Sequence, residues 1–594
     1  MAYVRRGNST TASNDAPDLP LPSQSDLAVA GIPFQDGAEF SALRQFAGQL
    51  PILSDSDVMF FWLIANATNT ENQDKLVIWL NGGPGCTSLD GVFMENGPYK
   101  FDGANRLRFR EHSLSQQFDV LYIDQPFGTG FSVAKVKDYA HTFKEATRHL
   151  MSFLDKFYQV FPEYRSRKLY VAGESEAGTY IPYLADAILK MPDDERYDLG
   201  GIMLGNGWID PFTMYMSYGE ILRANNLLTD SVQTRLVKLM DTCAREFRRA
   251  PQPVHTDLCE AIPMVFLEEG GPSPGMCYNM YDLRLTDTQP SCGMNWPPEV
   301  GLFTAYLNRK DVQRALNVRS DRAPVVWKEC SSATNMALRF DTSPPSITVL
   351  PGVLEHVPVL FFVGEKDYLC NYIGIEWAIG NMTWGGATGL SSGAVEAEWT
   401  VSGDKAGHVV SDRGLTYAKI YDASHMVGVD KPREILDLFT VFTNASSRNL
   451  RFTSSFRELE APAAQPTVPK PPEETSTMGV PQWIGVGFAL FLVMFLAIGL
   501  LRRKQMFNWW IEFRRRRMGM RRLDDVAERF DRLSVDEDDA FAMSEFVFGK
   551  QDDDAYGDGL LLDDSMASSP DEDIGSTVHG GSSNHSPIRK NSAP

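Results

Sequence analysis

Three residue types far apart in this chain could together carry out acyl transfer through a covalent intermediate. Ser175 lies in Gly173-Glu174-Ser175-Glu176-Ala177-Gly178, after the β-rich run Lys168-Leu169-Tyr170 and before the helical run Thr179 to Ala185. A strand that turns sharply into a helix with a serine at its apex is a nucleophile elbow. Small residues let strand and helix close together while the hydroxyl stays exposed. Taken alone, the motif also fits an ordinary glycine-containing turn. A serine hydroxyl is a poor nucleophile, so it needs a base to take its proton and a carboxylate to orient that base. After such an elbow the partners follow in the order acid, then histidine, each behind a strand. Asp367 follows the apolar run 357–363, and His425 follows the run 415–420. Other histidines fit less well: His356 precedes its strand, His408 falls in an expected hairpin, and His579 and His585 lie near the C-terminus.

The charge that develops on the attacked carbonyl oxygen needs two backbone donors. The Glu176 N–H is one. The loop Asn81-Gly82-Gly83-Pro84-Gly85-Cys86, which ends the buried run Leu76 to Leu80, offers the other through Gly83, since Pro84 has no N–H. Glu174 beside the serine and Glu95 beyond the glycine loop form a second constellation. Two carboxyls sharing a proton have a raised apparent pKa and can donate a hydrogen bond. With the Asn81 side chain they could hold a free C-terminal carboxylate, although a solvated helix position would also suit Glu95.

The elements that must position these groups alternate. Strand-like runs at 59–64, 76–80, 120–126, 168–170 and 202–207 are separated by helical stretches, one with apolar spacing from Phe143 to Phe161. This rhythm predicts a mostly parallel sheet covered on both faces. It breaks between about 210 and 312, where four of the seven cysteines lie, and the segment is expected to be a cap inserted over the sheet. It resumes at 357–363 and 415–420 and closes with a helix from Glu434 to Phe442.

The expected organisation is a flexible lead over 1–34, a catalytic domain over 35–450, and a Pro/Thr-rich stalk over 451–482. The uncharged run 483–501 would span roughly 28 Å as a helix, about one hydrocarbon thickness. Arg502-Arg503-Lys504 and Arg514 to Arg517 follow it, which predicts a single-pass type I orientation with the catalytic block lumenal. The remaining segment, 502–594, reads as a basic juxtamembrane stretch and an acidic, Ser-rich cytosolic tail that could bind sorting machinery. A net charge of -21 argues against a nucleic-acid partner. No cysteines form a CxxC pair, and the odd number fits three disulfides plus one free thiol in an oxidising compartment. Sequons at Asn8, Asn66, Asn381 and Asn444 agree weakly with a lumenal location. Residues 1–30 lack the apolar run of a signal peptide, which leaves an incomplete start, a mature form or targeting by the later hydrophobic run.

The blocks Asn81 to Cys86, Gly173 to Gly178, Gly364 to Asp367 and Ser424-His425-Met426 resemble the signature blocks of the serine carboxypeptidases, over roughly residues 35 to 445. The resemblance implies an α/β-hydrolase fold and a catalytic set of Ser175, Asp367 and His425. It also implies oxyanion donors at Gly83 and Glu176, and recognition of the substrate carboxylate by Asn81, Glu95 and Glu174. Single C-terminal residues would be removed at acidic pH, without metal or cofactor. By the same resemblance Cys86 pairs with Cys330, Cys243 with Cys259 and Cys277 with Cys292, leaving Cys370 as a free thiol near the site. The chain departs from the family at Glu176, where tyrosine is usual, and at Thr179, where glutamine is usual. The stalk, span and tail resemble the membrane-anchored, late-Golgi members that trim Lys and Arg from peptide precursors. Asp90, between Cys86 and Glu95, could pair with such a basic side chain, with help from Glu176; a solvent-facing Asp90 is the plainer alternative. A broad-specificity carboxypeptidase and a catalytically inactive membrane scaffold are the competing expectations.

Overall fold

Six parallel strands carry the site. In spatial order they are Asp119–Ile123, Lys75–Leu80, Lys168–Glu174, Leu199–Gly205, Val359–Gly364 and Leu415–Ile420. They are the centre of a 12-stranded sheet. The structure is a computed structural model that describes residues 20–66, 72–102, 106–249, 257–319, 325–444 and 456–458.

The continuous apolar runs of the central strands follow from burial on both faces. Along Lys75–Leu80, Leu76, Ile78 and Leu80 point into one apolar layer, whereas Val77 and Trp79 point into the other. The helices Phe143–Val160 and Ala177–Leu189 cover the first face, and Pro432–Asn444 covers the second. Phe143–Val160 starts at Thr142, whose hydroxyl accepts from Glu145 N–H at 3.1 Å, and stops before Pro162.

The sheet is mixed rather than mostly parallel. Ala28–Val29, Leu43–Ser54 and Asp57–Asn66 extend one side, and Asp404–Asp412, Val395–Val401 and Phe456–Glu458 extend the other, all antiparallel. Both ends revise the expected boundaries. Residues 24–29 of the expected flexible lead form a helical turn and a strand, with Leu27 and Val29 buried. Phe456–Glu458, expected in the stalk, is the last strand among the described residues. After the glycine loop the chain is helical over residues 89–95, and its last five residues, Gly91–Glu95, form a π turn. The expected stalk beyond Glu458, the hydrophobic run 483–501, the tail and the Asn8 sequon lie outside the described residues. Among the described residues no helix is long and apolar enough to cross a membrane.

Between the fourth and fifth central strands comes the insertion. Its helices Pro211–Ala224, Asp230–Arg249 and Asp257–Glu269 are followed by the hairpin Met276–Tyr278/Thr286–Thr288. Cys243–Cys259 joins two of the helices and Cys277–Cys292 closes the hairpin region. The insertion grips the loop after the fifth central strand: Tyr218 Oη donates to Leu369 O at 2.8 Å, and Tyr368 Oη donates to Pro263 O at 3.0 Å.

Candidate active site

Ser175 sits at the tip of the strand Lys168–Glu174 with φ +61°, a left-handed conformation that non-glycine residues rarely adopt. Tertiary hydrogen bonds hold it there. Its N–H donates to Gly205 O at 3.0 Å, and its C=O accepts from Gly178 N–H and Trp208 N–H, each at 2.9 Å. Ser175 is partly exposed, whereas Glu174 and Glu176 on either side are buried. The glycine loop presses against this apex. A Cβ at Gly82 would lie 2.4 Å from Glu176 N and 2.7 Å from Ser175 Cβ, so only glycine lets the two segments meet. Gly83, at φ +114°, turns the next peptide, and Cys86–Cys330 fastens the end of the loop to the segment that carries Glu329.

His425 Nδ1 is 2.8 Å from Asp367 Oδ2, and both residues are buried. Asp367 also accepts from Asn206 Nδ2 at 2.6 Å, Leu369 N–H at 2.8 Å and Cys370 N–H at 3.2 Å. These donors aim the carboxylate at the ring. A carboxylate that accepts at Nδ1 selects the tautomer with the proton there and leaves Nε2 able to accept one. Among the described residues the Ser175 hydroxyl makes no hydrogen bond; such catalytic bonds often tighten only when substrate binds. Asn206 was not anticipated from the sequence. Its amide also accepts from Gly364 N–H at 3.0 Å, so it ties the Asp367 loop to the end of the neighbouring strand. Asn206→Ala is expected to lower kcat/KM about tenfold and cost about 1–3 kcal/mol of stability. Steady-state kinetics beside thermal unfolding would check both.

The second constellation assembles around Asn81. Its Oδ1 accepts from Trp79 Nε1 at 2.8 Å and Gly91 N–H at 3.3 Å, which fixes the amide orientation. Its Nδ2 then donates to Glu95 Oε1 and Glu174 Oε1, both at 2.9 Å. The solvent-facing alternative for Glu95 is excluded, since the residue is wholly buried. Burial raises the pKa of both carboxyls. Glu174 is lifted further by the charge of Glu95 and by a hydrogen bond to it, so the pair holds a shared proton above the usual carboxylate range. Glu95 Oε2 is buried without a partner among the described residues. Arg110, also not anticipated, braces the π turn that presents Glu95: its Nη2 donates to Phe93 O at 2.7 Å and Tyr99 O at 3.3 Å. Burial lowers its pKa to about 10.

Asp90 is buried, not solvent-facing, and its Oδ1 lacks a partner among the described residues. Burial raises its pKa, and the charges bearing on it are the carboxylates of Glu329, Glu95 and Asp124. Glu329 itself is pushed up to about 7 by burial. Glu329, which the expected pocket did not include, exerts the largest charge effect on Asp90. The charge of Glu176 bears on Tyr180 and, with those of Asp367, Glu174 and Glu260, on Cys370. Asp124 accepts from Thr87 Oγ1, Ser88 N–H and Phe131 N–H, which anchors the glycine loop, and burial lifts it to about 6.

The expected sequon Asn444 ends its helix exposed and accepts from Lys75 Nζ; Asn381 ends the helix Tyr372–Asn381, and Asn66 ends the strand Asp57–Asn66. Cys370 is free and buried.

A strand–serine–helix apex against a glycine loop, with a carboxylate–imidazole pair behind two later parallel strands, defines a serine hydrolase of the α/β-hydrolase kind. Residues 35–445 match the serine carboxypeptidase family, and the chain belongs to it. It is 38% identical over 442 residues to the pheromone-processing carboxypeptidase of Aspergillus fumigatus, covering 72% of this chain and 69% of that protein. The corresponding protein of Coprinopsis cinerea is 37% identical over 521 residues, covering 81% and 83%. The crystal structure of a prohormone-processing carboxypeptidase from Saccharomyces cerevisiae is similar with a TM-score of 0.65 and 35% identity, covering 71% of this chain and 96% of that one.

Proposed function

We propose that this serine carboxypeptidase removes C-terminal Lys and Arg from peptide precursors; the names of its pheromone- and prohormone-processing relatives support the precursor-processing part of the reading. The observation that carries the reading is the composition around Asp90. A buried carboxyl with an unpartnered oxygen faces Glu329, Glu95 and Asp124, an acidic surround suited to an incoming cation. It adjoins the Asn81–Glu95–Glu174 group, to which the free carboxylate of the leaving residue is assigned. The shared proton donates to that carboxylate, and Asp90 and Glu329 pair with its basic side chain.

In this reading Ser175 Oγ attacks the scissile carbonyl as His425 Nε2 takes its proton, with Asp367 holding the ring. The Gly83 and Glu176 N–H groups stabilise the oxyanion. His425 then protonates the leaving amine, the basic amino acid departs, and water releases the shortened peptide from the acyl-enzyme. The uncharged run 483–501 and its arginine-rich flank support placing the enzyme in a late-Golgi membrane with the catalytic domain lumenal. The sequons support glycosylation there, and the tail is assigned to cytosolic sorting contacts.

The test compares blocked dipeptides ending in Arg and in Phe. The enzyme is expected to favour Arg by about 100-fold in kcat/KM, and the double variant Asp90→Asn/Glu329→Gln to lose most of that preference. Equal turnover of the two would exclude the trimming role and favour a broad-specificity carboxypeptidase.

A further inference from the structure

His425 lies beyond Ile420, the last residue of its strand to pair in the sheet. The main-chain donors of this buried loop must therefore find acceptors elsewhere. The Ser424 N–H donates to Asp430 Oδ2 at 2.7 Å, and the His425 N–H donates to Tyr281 O at 2.9 Å. Tyr281 lies in the loop of the inserted hairpin Met276–Tyr278/Thr286–Thr288, and its ring centroid is 5.3 Å from that of the imidazole. The base thus takes main-chain support from the insertion rather than from the sheet.

The same hairpin loop grips the other support. Arg284 Nη2 donates to Asp430 Oδ1 at 3.0 Å, so one oxygen of Asp430 meets the guanidinium while the other holds Ser424. Arg284 Nη1 donates to Asp422 O at 2.6 Å, and Asp422 has φ +53°, a left-handed conformation that needs outside support. The guanidinium is itself aimed by Asp282, which is 2% exposed: Oδ1 accepts from Arg284 Nε at 2.8 Å, and Oδ2 accepts from Nη2 at 2.7 Å. A planar fork can meet these oxygens together, and an ammonium cannot. The loop also reaches the acid. Leu283 N–H donates to Lys366 O at 2.9 Å, and Leu369 N–H donates to Met280 O at 3.2 Å. Residues 280–284 therefore bridge both members of the imidazole–carboxylate pair.

We propose that Arg284 is a positioning residue for His425. It locks the loop 422–425 through Asp422 O and Asp430, and so sets the distance and angle at which the imidazole meets the Ser175 hydroxyl. The guanidinium stands behind the histidine, partly exposed, and its hydrogen bonds go to the residues that carry the ring. The insertion then does more than roof the sheet: it completes the base. The inference rests on His425 as the general base and not on which residue leaves.

The test measures Arg284→Ala, Arg284→Lys and Asp430→Asn on a blocked dipeptide, beside the labelling of Ser175 by a fluorophosphonate, which needs the base but no peptide recognition. Thermal unfolding gives the folded fraction, and rates are taken per folded molecule. Arg284→Ala is expected to lower kcat and the labelling rate about 100-fold each while KM stays within about threefold, the signature of a base displaced by about an ångström. Arg284→Lys keeps the charge without the fork and should lose about tenfold. Asp430→Asn should also lose about tenfold, and adding it to Arg284→Ala should cost little more, because both act through one loop. Methylguanidinium should restore about tenfold to Arg284→Ala by refilling the vacated place. A kcat per folded molecule within about threefold of the parent in Arg284→Ala, or a loss confined to KM, overturns the inference. Full additivity of Arg284→Ala and Asp430→Asn overturns it as well. If Arg284→Ala does not fold, Arg284→Lys and Asp430→Asn decide by the same kcat and labelling criteria. His425→Ala separates this inference from the reading beneath it. Activity kept there removes the histidine as base, whereas activity lost there and kept in the Arg284 variants removes only the positioning role.

Discussion

Ser175→Ala is expected to lower kcat for peptide hydrolysis by about a millionfold, the scale on which serine triads lose their turnover. No nearby group can replace the hydroxyl. Its neighbours Glu174 and Glu176 are buried carboxyls, and the Cys370 thiol is held well above its ordinary pKa by burial and by surrounding acids. The variant should fold, because the apex is held through the backbone of residue 175. An active-site titration with a chromogenic ester, run beside thermal unfolding, would read both effects. Turnover within tenfold of the parent would remove Ser175 from the mechanism.

Peptidase activity should fall as pH rises toward neutrality, chiefly through KM. The folded-state pKa values of Glu95 and Glu174 are both raised, with burial the largest cause. Below those values the pair holds a proton to donate to the peptide carboxylate. As pH passes through them the proton leaves, and two carboxylates face a third. Binding of peptide acids therefore weakens with rising pH, while a C-terminally amidated peptide escapes that term. Glu174→Gln keeps an N–H donor at every pH. It should cost about tenfold in kcat/KM on the acid side and flatten the profile. A parallel decline for peptide acid and peptide amide would count against the pair and transfer the pH effect to another group.

Much of this site could be read from the chain because its members sit where strands end. Ser175, Asp367 and the loop after Leu80 each follow a run buried on both faces, and such runs announce themselves by composition. His425 follows the same rule. Asn206 obeys it too: it lies between Gly205 and Gly207 at the end of a buried strand. Glu329 carries no such mark. It joins Asp90 only because Cys86–Cys330 closes a separation of 244 residues, a contact that local pattern does not contain. The antiparallel ends of the sheet were blurred for another reason. Outer strands such as Val395–Val401 mix buried and half-buried positions, so neither a continuous apolar run nor a strict alternation stands out. The π turn at Gly91–Glu95 reads as a helix by residue type, since nothing in type alone separates it from the commoner form.

The short strand Phe456–Glu458 has a practical meaning for how the catalytic domain can be cut. Ending the chain just after the helix Pro432–Asn444 would look natural from the apolar pattern, yet it would strip the cover from Val395–Val401. That strand would then present a row of unsatisfied main-chain donors and acceptors to other molecules, an invitation to strand exchange and self-association. A soluble form keeps its outermost ribbon only when it runs past Glu458.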